Sequence, residues 1–135
     1  MPGLTGIIGS GNSGFCATTS SPLEEMTQCM RHEPFVGSGT LAVEDLGLRV
    51  GWAFRSELRP EVFPLWSSDR KVGLILSGEV FPDDGSGHDQ RPDAFSLLCA
   101  YQEHGLEGIA AAEGWFSGVF VDLRSRETVL FNDRY

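Results

Sequence analysis

The segment Met1-Pro2-Gly3-Leu4-Thr5-Gly6-Ile7-Ile8-Gly9 opens the sequence, and the interpretation of every later segment depends on it. Residues 4–8 form a short apolar run between glycines, which predicts a buried strand. Residues 9–21 are rich in Gly, Ser, Thr and Asn, which predicts a loop. The residue ahead of the predicted strand, Pro2, has no side-chain nucleophile.

Composition indicates one globular domain. The chain has 135 residues, of which 41% are hydrophobic, and a chain of this length buries roughly two-thirds of its unfolded surface. Its formal net charge is −9, so it would repel a phosphate backbone or an anionic membrane. The sequence contains neither an apolar stretch of about 20 residues nor a signal peptide. We therefore expect a cytoplasmic protein, with neither nucleic acid nor a membrane as partner.

Cysteine and histidine positions predict no disulfide framework and no metal site. The cysteines are odd in number and widely spaced, which is typical of reduced, mostly buried thiols; they are Cys16, Cys29 and Cys99. The histidines share no metal-ligand spacing with one another or with the cysteines; they are His32, His88 and His104.

Two helices are predicted. Ser21-Pro22-Leu23-Glu24 combines an N-cap serine with proline at the first helical position and a glutamate three residues after the cap. Leu23, Met26 and Met30 follow at helical spacing and predict an apolar stripe. Residues 92–104 predict the second helix, which ends at Gly105, and residues 106–112 predict a short third one.

The remaining segments predict strands. After a break at Gly37-Ser38-Gly39, residues 40–43 and 48–54 predict a hairpin, and residues 115–123 and 128–131 predict a second one. Residues 72–76 are apolar on both faces, which favours a central strand covered on both sides, and residues 83–90 predict a polar loop. Together these elements predict an α+β fold of stacked antiparallel sheets covered by helices.

The N-terminal segment resembles that of class II glutamine amidotransferase domains of the asparagine synthetase family, which read Met-Cys-Gly-Ile-x-Gly with the cysteine as nucleophile. Six further segments resemble family motifs, in family order, and they extend the resemblance over nearly the whole chain. Ser77-Gly78-Glu79-Val80-Phe81, for example, matches Asn-Gly-Glu-Ile-Tyr. The six segments are residues 30–39, 64–66, 77–81, 93–105, 114–122 and 132–135.

The resemblance implies the four-layer αββα fold of N-terminal-nucleophile hydrolases for a single domain over residues 1–135. It also implies that Pro2 stands where the catalytic cysteine would be. The family's Asn-Gly pair supplies an oxyanion hole, and here those positions hold Ser77 and Gly78. Nucleophile and oxyanion hole have therefore both changed, which implies a degenerate site without glutaminase activity of its own.

The resemblance implies that groups for binding an amino acid persist. Glu79 and Asp93 match the acidic residues that hold the α-amino group of glutamine, and Arg55 lies within one residue of the arginine that binds its carboxylate. A one-residue slip on a strand would turn that side chain to the opposite face. The alternative is that all three are ordinary charges at loop edges.

The family also implies partners. In relatives, further strands and then an ATP-binding synthetase domain follow the glutaminase domain, so the sequence resembles the N-terminal part of a longer protein. The resemblance implies no cofactor in this domain, with ATP and magnesium bound only downstream. Lacking the later strands, the sheet would expose an edge, which favours a homodimer or contact with a synthetase domain or partner chain.

Three functional hypotheses follow. The first is a non-hydrolytic glutaminase-like domain with a structural or regulatory role in an amide-forming enzyme of the asparagine synthetase, β-lactam synthetase or lasso-peptide cyclase type. The second is glutamine hydrolysis through an unconventional nucleophile. The third is a free-standing module that binds glutamine or a related amino acid.

One further motif has a different interpretation. Gly9-x-Gly11-x-x-Gly14 matches the dinucleotide-binding fingerprint. That motif must open a helix, yet Thr18-Thr19-Ser20-Ser21-Pro22 ends any helix within about two turns. A loop is therefore the better prediction for this segment.

Overall fold

The computed structural model describes residues 3–9, 20–32, 36–55, 63–81 and 94–133. Within these ranges the chain is an α+β protein with two antiparallel sheets. The elements, in chain order, are β1 Gly3–Ile8, α1 Ser20–Cys29, β2 Val36–Val43, β3 Leu48–Arg55, β4 Leu65–Trp66, β5 Val72–Phe81, α2 Ala94–His104, α3 Leu106–Ala110, β6 Glu113–Asp122 and β7 Glu127–Asn132.

The first sheet has the strand order β1-β3-β2. β2 and β3 form the predicted hairpin, joined by a 3-10 turn over Glu44–Leu46 and by Gly47 in a left-handed conformation. The predicted break at Gly37-Ser38-Gly39 is wrong, since these residues lie inside β2. The rings of Phe54 and Trp52 lie over Gly37 and Gly39, so each glycine leaves space for an aromatic ring from β3.

The second sheet has the order β4-β5-β6-β7. β5 contains the predicted central strand, and its residues 72–77 are all buried. Its two faces contact different cores. Val72, Leu74 and Leu76 pack against α2 and α3, whereas Ile75 packs between the two sheets. β6 and β7 form the second predicted hairpin.

The sheets stack through a core supplied by both. Val50 and Trp52 of β3 meet Ile75 of β5 and Val119 and Val121 of β6. α1 covers the other face of the first sheet, where Thr27 lies against Gly51. The layers therefore follow the order α1, first sheet, second sheet, and then α2 with α3.

Several local predictions are wrong. The apolar stripe of α1 does not include Met26, which is 42% exposed. Thr27 is buried instead, because its hydroxyl donates to the carbonyl of Leu23 at 2.7 Å and needs no partner outside the helix. The helix begins at Ser20, one residue before the predicted N-cap Ser21. Proline fits there as well, because first-turn N–H groups have no partner within the helix.

Exposure corrects two further predictions. Ile8, the last residue of β1, is 69% exposed rather than buried. Cys29 is also exposed and Cys99 is half-buried, both as free thiols. Helix α3 ends at Ala110 rather than at residue 112. Of the predicted loop over residues 9–21, residues 20 and 21 belong to α1, and residues 10–19, with Cys16, lie outside the described residues. The predicted loop over residues 83–90, with His88, lies outside them as well.

A partly buried ion pair closes the β6–β7 turn. The Asp122 side chain is 5% exposed and accepts hydrogen bonds from Arg124, at 2.6 Å from Nη2 and 3.0 Å from Nε. These bonds are the main reason why the pKa of Asp122 lies below its ordinary value. Tyr101 of α2 stacks on Phe120 and bonds to the same carboxylate. Burial, and then the negative charge of Asp122, raise the pKa of Tyr101.

This pair makes stability depend on pH. Because folding lowers the pKa of Asp122, its contribution is present above the unfolded pKa of about 3.9 and is lost as the pH falls through the folded pKa. We expect Asp122→Asn to lower the free energy of unfolding by about 1.5–3 kcal/mol at pH 7. Urea unfolding should show a smaller difference at pH 3. A matched change at the exposed Glu107, Glu107→Gln, should have little effect at pH 7; an equal loss there would contradict this account.

Candidate functional site

Gly78 lies near the end of β5 in a conformation that residues with a side chain rarely adopt, with φ of +115°. A Cβ atom there would overlap the carbonyl oxygen of Trp115 and would lie 2.8 Å from the Cα atom of Phe116. β5 and β6 therefore approach each other so closely at this point that glycine is required.

The amide of Gly78 is directed away from β6. Gly78 pairs with Phe116, but both main-chain groups of Phe116 bond to Asp133 on the opposite side. The N–H of Phe116 donates to Oδ2 of Asp133, and the N–H of Asp133 donates to the carbonyl of Phe116, each at 2.9 Å. Since residues alternate along an antiparallel ladder, Gly78 and Phe116 form a non-hydrogen-bonded pair. The N–H of Gly78 consequently points toward the β4 side of β5.

The β4 side of β5 is open beside Gly78 in the described part of the chain. β4 has only two residues, and they pair with Leu74 and Gly73, well before Gly78. A main-chain N–H in this position can donate a hydrogen bond to an anionic oxygen of a ligand.

Ser77 and Glu79 flank this amide on one face of the sheet. Ile75 belongs to the core between the sheets, and side chains alternate along a strand. The side chain of Val80 packs in the same core under α2 as Leu76, so the alternation of side chains between the two faces of β5 persists beyond Gly78. Ser77 and Glu79 therefore face the first sheet. Ser77 is 8% exposed, whereas Glu79 is exposed, which places them at the rim of the space between the sheets.

The first strand contacts the second sheet. β1 contacts both β5 and β6, and Leu4 packs against the core between the sheets. β1 begins at Gly3, directly after Pro2 in the sequence. The strand that follows Pro2 is thus in contact with the strand that carries Ser77, Gly78 and Glu79.

Three other predicted site residues are described only in part or not at all. Pro2 and Asp93 lie outside the described residues. Asp93 directly precedes α2, whose first residue, Ala94, belongs to the same core cluster as Val80. Arg55 is the last residue of β3, and its side chain is outside the described part.

The structure adds features that sequence reasoning missed. Phe81 and Trp115 form an exposed aromatic pair at the same rim, with ring centroids 5.3 Å apart. Asp133, noted in the sequence only as part of a motif, bonds to the main chain of Phe116 on the side away from β5, which indicates that Phe116 and Gly78 form a non-hydrogen-bonded pair. The alternation of residues on two paired strands is the signal that could have placed the aromatic pair; for Asp133 no such signal exists.

The described residues contain no group of three or more His, Cys, Asp and Glu side chains arranged to hold a metal ion. In the same ranges, no helix has the length and apolar character that crossing a membrane requires.

No protein-family model matches the chain, and no curated protein matches it either.

Proposed function

We propose that this chain is a glutaminase-like domain of the asparagine synthetase family that has lost glutamine hydrolysis and keeps the scaffold. The support comes from the ordered motifs in the sequence and from the two stacked antiparallel sheets with helices on either side. The finer form of the proposal is the αββα fold of N-terminal-nucleophile hydrolases.

The observation that carries the proposal is the geometry at Gly78. Its amide points, beside Ser77, to the side of β5 that no described strand covers at this position, and the strand that follows Pro2 contacts β5. In an active relative, such an amide would stabilise the oxyanion formed when the N-terminal cysteine attacks the side-chain amide of glutamine. Here Pro2 provides no thiol, so the acyl-enzyme cannot form at that position.

The proposed role is structural or regulatory, within an ATP-dependent enzyme that forms amide bonds in the cytoplasm. In this account a synthetase domain, on the same chain or on a partner, binds ATP and magnesium and activates the acceptor. Families that close amide bonds without nitrogen from glutamine have no need of the cysteine. The presence of Pro2 suits such a parent, of the β-lactam synthetase or lasso-peptide cyclase type.

Amino-acid binding is a second candidate function, favoured by the position of Glu79. Its carboxylate is exposed at the rim beside the Gly78 amide, where an ammonium group could reach it. In this version the domain senses glutamine or a related amino acid without hydrolysing it.

Glutamate release from glutamine tests the first proposal. We expect none from the natural chain and measurable release from Pro2→Cys once intact mass shows that Met1 has been removed, because the free amine of the new cysteine is then available as base. Pro2→Ser serves as the matched control, since a hydroxyl in place of the thiol is a much weaker nucleophile. Hydrolysis by the natural chain would contradict the proposal and would favour an unconventional nucleophile.

A further inference from the structure

Two acidic and two aromatic side chains alternate at the exposed end of the β5–β6 pair. Glu79 lies directly opposite Trp115, and Phe81 lies directly opposite Glu113. All four occupy odd-numbered positions, which face the first sheet. We call this set the aromatic–acidic patch.

The aromatic part of the patch is open to solvent. Trp115 is 69% exposed and Phe81 is 38% exposed, whereas Trp52 in the core between the sheets is only 5% exposed. The Phe81 and Trp115 rings meet edge to face, with an interplanar angle of 76°. This contact holds the indole in place and leaves most of its surface accessible.

We propose that the aromatic–acidic patch binds an arginine side chain from a basic segment of a partner protein. A guanidinium group stacks on an aromatic face and donates paired hydrogen bonds to a carboxylate. Directly opposite residues on paired strands have Cβ atoms about 4.5–5.5 Å apart. One guanidinium can therefore contact Trp115 and the carboxylate of Glu79 together.

The net charge of the chain favours a basic segment over a second copy of the chain as the partner. The chain carries a net charge of −9, so a basic segment is attracted from a distance. A second copy of the chain would bring the same excess of carboxylates to the patch and would be repelled. Glu79 and Glu113 already take part in contacts within the chain. A carboxylate offers about four lone-pair sites, so it can accept from more than one donor at a time.

The test is calorimetric titration of the whole chain with acetylated, amidated hexaarginine, alongside hexalysine and the uncharged hexacitrulline. We expect hexaarginine to bind more tightly than hexalysine and hexacitrulline not to bind. Trp115→Ala should weaken hexaarginine binding about fivefold, the equivalent of about 1 kcal/mol for an exposed cation–π contact. Glu79→Gln, which removes the carboxylate directly opposite Trp115, should weaken binding more than Glu107→Gln does, and so should Glu113→Gln. Circular dichroism and thermal unfolding of each variant would show whether it keeps its fold.

The matched controls are Leu130→Ala and Glu107→Gln. Leu130 is 73% exposed and lies on β7 away from the patch, and Glu107 is exposed on α3. Neither change should weaken binding as much as twofold. Equal weakening by Glu107→Gln and Glu113→Gln, or unchanged binding by Trp115→Ala, would indicate diffuse charge attraction and would overturn the proposal. Binding of hexacitrulline as tight as that of hexaarginine would overturn it as well. So would a natural chain that binds none of the peptides and instead forms a dimer that Trp115→Ala abolishes. None of these readouts depends on glutamine hydrolysis.

Discussion

Ser77→Asn, introduced into a chain that already carries Pro2→Cys, is expected to raise the rate of glutamate release by about 10²–10³ over Pro2→Cys alone. Ser77 follows the inward-facing Ile75 on β5 and is buried at the rim, next to the outward-directed amide of Gly78. The asparagine side-chain amide is longer than the serine hydroxyl and reaches further over the same space. It would therefore add the second donor that family members supply to the oxyanion. The measurement is the steady-state rate at saturating glutamine.

Ser117→Asn in the same Pro2→Cys background is the matched control. Ser117 lies directly opposite Ser77 on β6 and faces the same side of the sheet. The same change at this position adds an amide of equal size on the neighbouring strand, away from the Gly78 amide. We expect no comparable gain in rate. A rate unchanged by Ser77→Asn in a folded protein, or raised equally by Ser117→Asn, would show that Ser77 is not part of an oxyanion hole.

Gly78→Ala is expected to lower the free energy of unfolding by about 2–6 kcal/mol. The φ of +115° costs a residue with a side chain about 1–3 kcal/mol. The overlap of the new methyl group with the main chain of Trp115 adds about 1–3 kcal/mol of overpacking. Urea unfolding followed by circular dichroism measures the loss.

Gly105→Ala separates the two contributions. Gly105 also has a positive φ, of +61°, but a Cβ atom there has no neighbour within 4 Å. With ψ of −136°, this change should cost only the unfavourable backbone conformation, about 1–3 kcal/mol. If Gly78→Ala were no more destabilising than Gly105→Ala, the close approach of β5 and β6 would not constrain residue 78.

Hairpins and the central strand were predictable from sequence because local patterns determine them. The runs over residues 40–43 and 48–54 and the apolar run over residues 72–76 all lie in strands of the structure. Helix α2 was also predicted, ending at His104 just before Gly105. In each case turn residues and hydrophobic periodicity pointed to the same element.

Other features depend on contacts between distant segments, which periodicity does not report. The segment Gly37-Ser38-Gly39 predicted an interruption before the strand. Gly37 and Gly39 lie inside β2 instead, where each leaves space for an aromatic ring from β3. Ile8 is apolar but exposed at the end of β1, where no described core residue covers it. On α1 the buried residue is Thr27 rather than the predicted Met26, since the Thr27 hydroxyl donates a hydrogen bond to the carbonyl of Leu23 within the helix.

The candidate site also combines residues that the sequence predicts with a geometry that depends on contacts between distant segments. The sequence identified Ser77, Gly78 and Glu79 by resemblance, but it could not give the direction of the Gly78 amide. That direction depends on the register of β5 and β6, which the bonds between Phe116 and the distant Asp133 make evident. Glu79 and Trp115 are likewise distant in sequence, and only the register of β5 and β6 places them opposite each other.

Covalent labelling of Pro2→Cys by a diazoketone analogue of glutamine tests the central claim most directly, with intact and peptide mass spectrometry as the readout. An intact glutamine pocket would hold the analogue beside the new thiol, so we expect one adduct per chain, on residue 2, with excess glutamine protecting against it. The natural chain should remain unlabelled under the same conditions, although Cys29 is exposed. A Pro2→Cys chain that lacks Met1 and takes up no adduct, or one labelled equally at Cys29 and Cys99, would contradict the account of a glutaminase scaffold that has lost its nucleophile.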